Sequence, residues 1–157
     1  MSDIRFTLNG NDTCYAGSAA DRLLEVLRDT YNMKSVKCGC KEGECGACAV
    51  LIDGVLINSC CVAMGAVDSH EIVTIEGFRE TEQFAALSKA FAELSAVQCG
   101  FCIPGMILAA QSVLSKNAHP TEDEVREGLS GNICRCTGYN AIVNAVLNAA
   151  KEGDGLW

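Results

Sequence analysis

Eleven cysteines in 157 residues carry most of the chemistry available to this sequence. Extracellular disulfides are one use for them. The count is odd, however, and Met1 to Gly10 shows acidic Asp3 and polar Asn9 where an export signal would place a basic start and a long apolar stretch. Reduced thiols that bind metal account for them better. Only His70 and His119 could add nitrogen ligands, and neither stands beside a cysteine group, so the donor set is almost entirely sulfur. That narrows the metal to iron-sulfur or zinc.

The first group is Cys40, Cys45, Cys48 and Cys60, a C-x4-C-x2-C run followed by a fourth cysteine after 11 intervening residues. This is the spacing of plant-type 2Fe-2S ferredoxins: a short loop wraps the cluster and a distant thiolate closes its far side. Gly39, Gly43 and Gly46 punctuate the loop and let backbone N–H groups approach sulfur. Structural zinc sites instead pair cysteines as separate C-x2-4-C knuckles, which a three-ligand run does not resemble. The second group is Cys99 and Cys102, then, after 31 intervening residues, Cys134 and Cys136. A C-x2-C alone is shared with redox dithiols and zinc knuckles; the C-x-C partner makes a second four-thiolate site. Of the three cysteines left, Cys14 reads as a small buried hydrophobe in a strand. Cys61 adjoins Cys60, and Cys38 stands two residues before Cys40, so spacing leaves open which of each pair is a ligand.

These thiols need a scaffold. Ile4, Phe6 and Leu8 alternate with polar residues before Asn9-Gly10, and Thr13 to Ala16 follows, predicting a hairpin. Ser18 and Asp21 then open a helix whose apolar residues Leu23, Leu24, Leu27 and Tyr31 recur at helical spacing. After the cysteine loop, 49–52 and 55–58 flank the turn Asp53-Gly54, and 72–75 reads as a further strand. From about Glu80 the pattern becomes helical: 84–94, 104–114 with Pro104 in the first turn, 121–129 with the Thr121/Glu124 capping pattern, and 139–150. Cys99 and Cys102 precede one of these helices and Cys134 and Cys136 another, so two positive helix ends can face one anionic cluster. Gly77 to Glu82 reads as the linker, and Gly153 to Trp157 as a frayed end, with docking of Trp157 on a partner as the competing reading.

A hydrophobic fraction of 49%, a charged fraction of 20% and a net charge of −8 without a basic block suit a folded protein and disfavour nucleic-acid or anionic-membrane partners. The most apolar stretch, 106–110, is far short of a bilayer span, and a cytoplasmic location is expected.

Taken together, Val36-Lys37-Cys38-Gly39-Cys40, Gly43-Glu44-Cys45-Gly46-Ala47-Cys48, Asp53-Gly54 with Ser59-Cys60, Gln98-Cys99-Gly100-Phe101-Cys102 and Gly131-Asn132-Ile133-Cys134-Arg135-Cys136-Thr137-Gly138-Tyr139 resemble the iron-sulfur small subunit of the molybdenum hydroxylases, the xanthine oxidase family. The resemblance spans nearly the whole chain. It implies an α+β protein: an N-terminal β-grasp, plant-type ferredoxin-like domain over 1–79, then an all-α four-helix-bundle 2Fe-2S domain over 80–157. It also implies Cys40 and Cys60, instead of Cys38 and Cys61, as ligands. Gln98 and Cys136 match positions that lie against the pterin cofactor; a plainer role for Gln98 is to cap a helix end. The partners implied are a molybdopterin-binding large subunit and a FAD-binding medium subunit, in a heteromeric complex open to dimerisation. Electrons would pass from molybdenum through the helical-domain cluster and the ferredoxin-like cluster to FAD. This chain has no G-x-G-x-x-G loop, P-loop or nucleophile–base pair, so substrate and flavin sites lie elsewhere. The expected substrate is a purine or other N-heterocycle; the alternatives are an aldehyde or carbon monoxide dehydrogenase subunit, a stand-alone redox carrier or sensor, or a zinc scaffold. Ile103 and Ala49 stand where the family commonly has threonine, and Cys38 where a non-cysteine is usual.

Overall fold

The computed structural model describes residues 3–157. Met1 and Ser2, the start of the segment read above for an export signal, lie outside the described residues. Strands β1 (Ile4–Leu8) and β2 (Asn11–Tyr15) form the expected hairpin, with Asn9 and Gly10 both at positive φ. Strands β3 (Ala49–Ile52) and β4 (Val55–Asn58) repeat the device around Asp53 and Gly54. β5 (Glu71–Val73) joins the hairpins into one sheet of order β2-β1-β5-β3-β4, parallel to β1 and antiparallel to β3. The period of two turns Ile4, Phe6 and Leu8 inward. Arg5 therefore faces outward, and so does Cys14, which pairs with it across the hairpin. Cys14 is exposed, not the buried hydrophobe the sequence suggested.

Helix α1 begins at Leu23 and continues after Glu25 as a π-helical turn, Val26–Thr30. Its Leu23, Leu24 and Leu27 pack beneath the sheet with Val50, Ile72, Cys48 and Cys60. A second core belongs to the helices α3 (Glu82–Glu93), α4 (Ile103–Leu114), α5 (Glu122–Gly128) and α6 (Asn140–Glu152) and is built on Leu87, Phe91, Met106, Leu108, Ile142 and Val146. The capping box of Thr121 and Glu124 forms as its residues predict. All four residues of β3 are buried because Leu51 joins the helical core from one face of the sheet while Val50 and Ile52 serve the other. Among the described residues no helix is long and apolar enough to cross a membrane.

The stretch 72–75 is not one strand. Thr74 leaves the sheet because its N–H is taken by Asn9 Oδ1 at 2.8 Å, and its carbonyl starts the short helix α2 (Ile75–Phe78). Phe78 is buried in the helical core, so the expected linker at 77–82 is anchored at its start. Glu76 accepts hydrogen bonds from Ser35 N–H at 2.9 Å, the Ser35 hydroxyl, and Thr74 Oγ1 at 2.7 Å. Burial pushes its carboxyl up, but these donors outweigh burial and hold it below its ordinary value. A depressed carboxyl stabilises above the unfolded value, near pH 4, and that contribution is lost as pH falls through the folded value. Glu76→Gln is expected to cost about 1–2 kcal/mol at neutral pH and to flatten the acid limb of the stability curve. Urea unfolding between pH 3 and pH 7 checks both; parallel curves for the two proteins would refute the assignment.

The C-terminal tail is not frayed but held against its own chain. Gln83 Nε2 donates to Leu156 C=O at 3.0 Å, and Trp157 packs on the helical core of its own chain. The Trp157 indole N–H is buried without an acceptor, an uncompensated desolvation that the ring's apolar burial outweighs. Deleting Leu156 and Trp157 is expected to cost about 1–2 kcal/mol and lower the melting midpoint by about 2–8 °C. Trp157→Phe removes the unpaired donor together with part of the ring's apolar contact, so the midpoint is expected to fall less than on deletion. An unchanged midpoint on deletion would return the tail to a frayed end.

Candidate metal centres

The first cysteine loop is fastened at its ends and its middle. Arg28 donates to Val36 C=O at 2.6 Å, Lys37 N–H donates to Ala47 C=O at 3.0 Å, and Asn58 Nδ2 reaches Gly43 C=O at 2.7 Å. The buried Ser59 hydroxyl donates to Cys48 C=O at 2.7 Å. Cys48 and Cys60 lie side by side in the first core, while Cys40 and Cys45 lie together, half-buried, at the loop's outer edge. Gly39 leaves room for sulfur: a Cβ there would lie 2.6 Å from Cys45 Sγ. The N–H groups of Glu42 and Cys40 point at Cys40 Sγ and Cys45 Sγ, each at 3.4 Å. Donation by the Glu42 and Cys45 backbone lowers the Cys40 thiol to about 6. Burial pushes Cys48 up to about 11. Cys61 is exposed, its sulfur 3.7 Å from Cys60 Sγ, and Cys38 is exposed as well.

The second group forms where two loops meet. Cys102 is the first residue of the turn that opens α4, and Cys134 and Cys136 lie between α5 and α6. Cys102 and Cys134 are buried side by side; Cys99 and Cys136 are exposed, with their sulfurs 3.8 Å apart. Burial, with Cys134 beside it, drives Cys102 up to about 12. Burial also raises Cys134, but the Thr137 hydroxyl, 3.1 Å from its sulfur, and further donors outweigh that and leave it lowered. The pair therefore favours one shared proton over two thiolates, a state that a bound cation reverses. Gln98 is exposed, and α4 has no side-chain cap, so Gln98 does not cap that helix.

The eight cysteines thus meet as four pairs. Among the described residues no group of three or more His, Cys, Asp or Glu side chains is placed to hold a single metal ion. A 2Fe-2S cluster, with four thiolates shared between two irons, takes two at each. All-sulfur donors, paired thiols and backbone N–H groups aimed at sulfur fit that group. Residues not singled out for these roles from the sequence also contribute: Asn58 and Ser59 brace the first loop, Thr137 bonds the Cys134 sulfur, and the Tyr139 hydroxyl accepts from Cys134 N–H at 3.0 Å. Their only sequence signal is short polar side chains beside cysteines, a pattern common to many loops.

Residues 6–72 match a family described as a 2Fe-2S iron-sulfur cluster binding domain, and residues 74–147 one described as a 2Fe-2S binding domain. The chain is 45% identical over 149 residues to the nicotinate dehydrogenase small FeS subunit of Eubacterium barkeri, covering 95% of each. It is 43% identical over 150 residues to the xanthine dehydrogenase iron-sulfur-binding subunit of Escherichia coli O157:H7, covering 94% of each. Among solved structures, quinoline 2-oxidoreductase from Pseudomonas putida 86 superposes with a TM-score of 0.91 at 38% identity, over 99% of this chain and 98% of that one. The aldehyde oxidoreductase of Desulfovibrio gigas gives the same TM-score at 39% identity, over 99% of this chain and 17% of that one. The sheet with its cysteine loop, the helices with their cysteine pairs, and these matches over nearly the full length place the chain in the family of 2Fe-2S small subunits of the molybdenum hydroxylases, as an electron-transfer subunit with two 2Fe-2S-binding domains.

Proposed function

We propose that this chain carries electrons in a molybdopterin-dependent hydroxylase complex, from the molybdenum centre of a large subunit to the FAD of a medium subunit. Cys40, Cys45, Cys48 and Cys60 hold one 2Fe-2S cluster, in a β-grasp ferredoxin-like domain over 1–79. Cys99, Cys102, Cys134 and Cys136 hold the other, in a four-helix domain over 80–157. A cluster held at either place accepts and releases one electron at a time. The observation that carries this reading is the way the two groups are exposed. The second group buries Cys102 and Cys134 and turns Cys99, Cys136 and Gln98 outward, beside the exposed side chains of Phe101 and Ile133. Apolar residues around an exposed pair of ligands suit a partner's surface. Cys136 can there serve as ligand and pterin contact together, with Gln98 beside it. The first group offers a separate edge at Cys40 and Cys45 to the acceptor. Cysteines given to clusters instead of disulfides suit a reducing, cytoplasmic compartment.

The substrate of the complex is proposed to be an N-heterocycle, since the relatives named for nicotinate and xanthine align along nearly their whole length. Metal and sulfide analysis of anaerobically purified protein is expected to give about four irons and four sulfides per chain, from two irons per cluster. Zinc, or half that iron, would overturn the two-cluster assignment. Co-purification with large and flavin-binding subunits separates this reading from a stand-alone carrier.

A further inference from the structure

The two cysteine groups are far apart in sequence, yet their loops touch. Ile133 N–H donates to Cys45 C=O at 2.9 Å, so the residue before Cys134 is hydrogen-bonded to the backbone of Cys45. One residue before Ile133 and one after Cys45, the side chain of Asn132, 4% exposed, donates from Nδ2 to Gly46 C=O at 3.1 Å. The fit there leaves no slack. Gly46 has φ +66, and a Cβ on it would come within 2.5 Å of both Asn132 Nδ2 and Gly131 C=O. On the other side, a Cβ on Gly105 of α4 would lie 2.3 Å from Gly46 O. Gly46 C=O is thus enclosed by a buried amide on one side and a helix backbone on the other.

We propose that Asn132 is a positioning residue for electron transfer between the two clusters. By gripping Gly46 C=O it keeps Cys45 C=O on Ile133 N–H, so that one hydrogen bond joins a covalent path from Cys134 to Cys45. This rests on the assignment of Cys45 and Cys134 as ligands of different clusters. One electron crosses: the helical-domain site is oxidised by one electron and the N-terminal site reduced by one, with no proton moved and no covalent bond formed. A buried amide is suited to this role because it is uncharged, and its partner is a backbone carbonyl that substitution cannot remove.

The test uses the 157-residue chain with its clusters and the assembled complex. Asn132→Leu keeps the approximate size and removes the Nδ2 donor without adding a charge; Gly105→Ala wedges the same carbonyl from the opposite side. The expected result is full iron and sulfide in both variants and unchanged reduction potentials. The magnetic splitting between the two reduced clusters in low-temperature electron paramagnetic resonance is expected to weaken. In rapid mixing, transfer between the clusters is expected to slow by roughly tenfold or more, as for other residues that orient ligands. Asn132→Gln, which retains a donor, is expected to recover part of both signals. Wild-type splitting and transfer rate in Asn132→Leu and Gly105→Ala would overturn the proposal. So would loss of a cluster in both, which would make the contact purely structural. The ligand assignment fails separately, if Cys45→Ser or Cys134→Ser leaves both clusters intact in an otherwise wild-type chain.

Discussion

Cys60→Ser is expected to empty the N-terminal site, halving the iron from about four to about two per chain, while Cys61→Ser leaves it full. The two cysteines are neighbours in sequence but not in environment. Cys60 is buried in the first core beside Cys48, where a thiolate closes the inner side of the loop. Cys61 is exposed over Gly43, where a Cβ would meet its sulfur at 2.8 Å, at the rim of the site. A serine at 60 offers a harder, shorter ligand inside a pocket shaped for sulfur. The loss also lowers stability, since cluster binding contributes folding free energy to the segment that wraps it. The effect is expected to be confined to the sheet, with the helical-domain spectrum unchanged. Equal iron loss from the two substitutions would reverse the assignment. If Cys60→Ser retains iron with a changed spectrum, the double variant decides: iron lost only when both are replaced marks Cys61 as a substitute ligand.

Cys134→Ser is expected to break the route between molybdenum and flavin. In the assembled complex, substrate-driven reduction of the N-terminal cluster is expected to fall by roughly a hundredfold or more, the upper end for residues that tune metal sites. Dithionite is expected still to reduce that cluster, because its own cysteines are untouched. Gln98→Ala is the milder companion. It removes an exposed side-chain amide without removing a thiol, so cluster content is expected to survive while substrate-driven reduction slows. Wild-type reduction rates and cofactor retention in Gln98→Ala would leave Gln98 without that role. Flavin reduction at the normal rate in Cys134→Ser would show that electrons bypass the helical-domain site.

Local chemistry was legible in the sequence wherever one short segment decides the conformation. Asn9-Gly10 and Asp53-Gly54 form their turns because both residues of each pair adopt positive φ. Thr121 and Glu124 cap their helix because both partners lie within one turn. Segment ends were less legible. Thr74 looks like a strand residue, and only the Asn9 side chain, 65 positions away, draws it into the start of α2. Cys14 looked like core material because strand position alone does not say which face a residue occupies; pairing with Arg5 turned it outward. Trp157 follows glycines and a charge, a frayed end by composition, yet Gln83 and the helical core hold it.

By itself, then, the sequence determined the donor chemistry: eleven cysteines and two histidines admit little besides sulfur ligation, and the C-x4-C-x2-C spacing bends one short loop around a cluster. It also determined the order of a small sheet followed by helices, because periodicities of two and of 3.6 are local properties. Only the tertiary structure decided which sulfurs pair, which face outward and how the two groups meet. In the helical half, pairing depends on two loops with 31 residues between them closing on one another, as Cys102 does with Cys134. The contact of Asn132 with Gly46 spans 86 positions and exists only because α4 packs on β3 and carries Gly105 against the first loop. No local pattern encodes such a contact, since it arises from two separately folded surfaces meeting without room for a single added carbon.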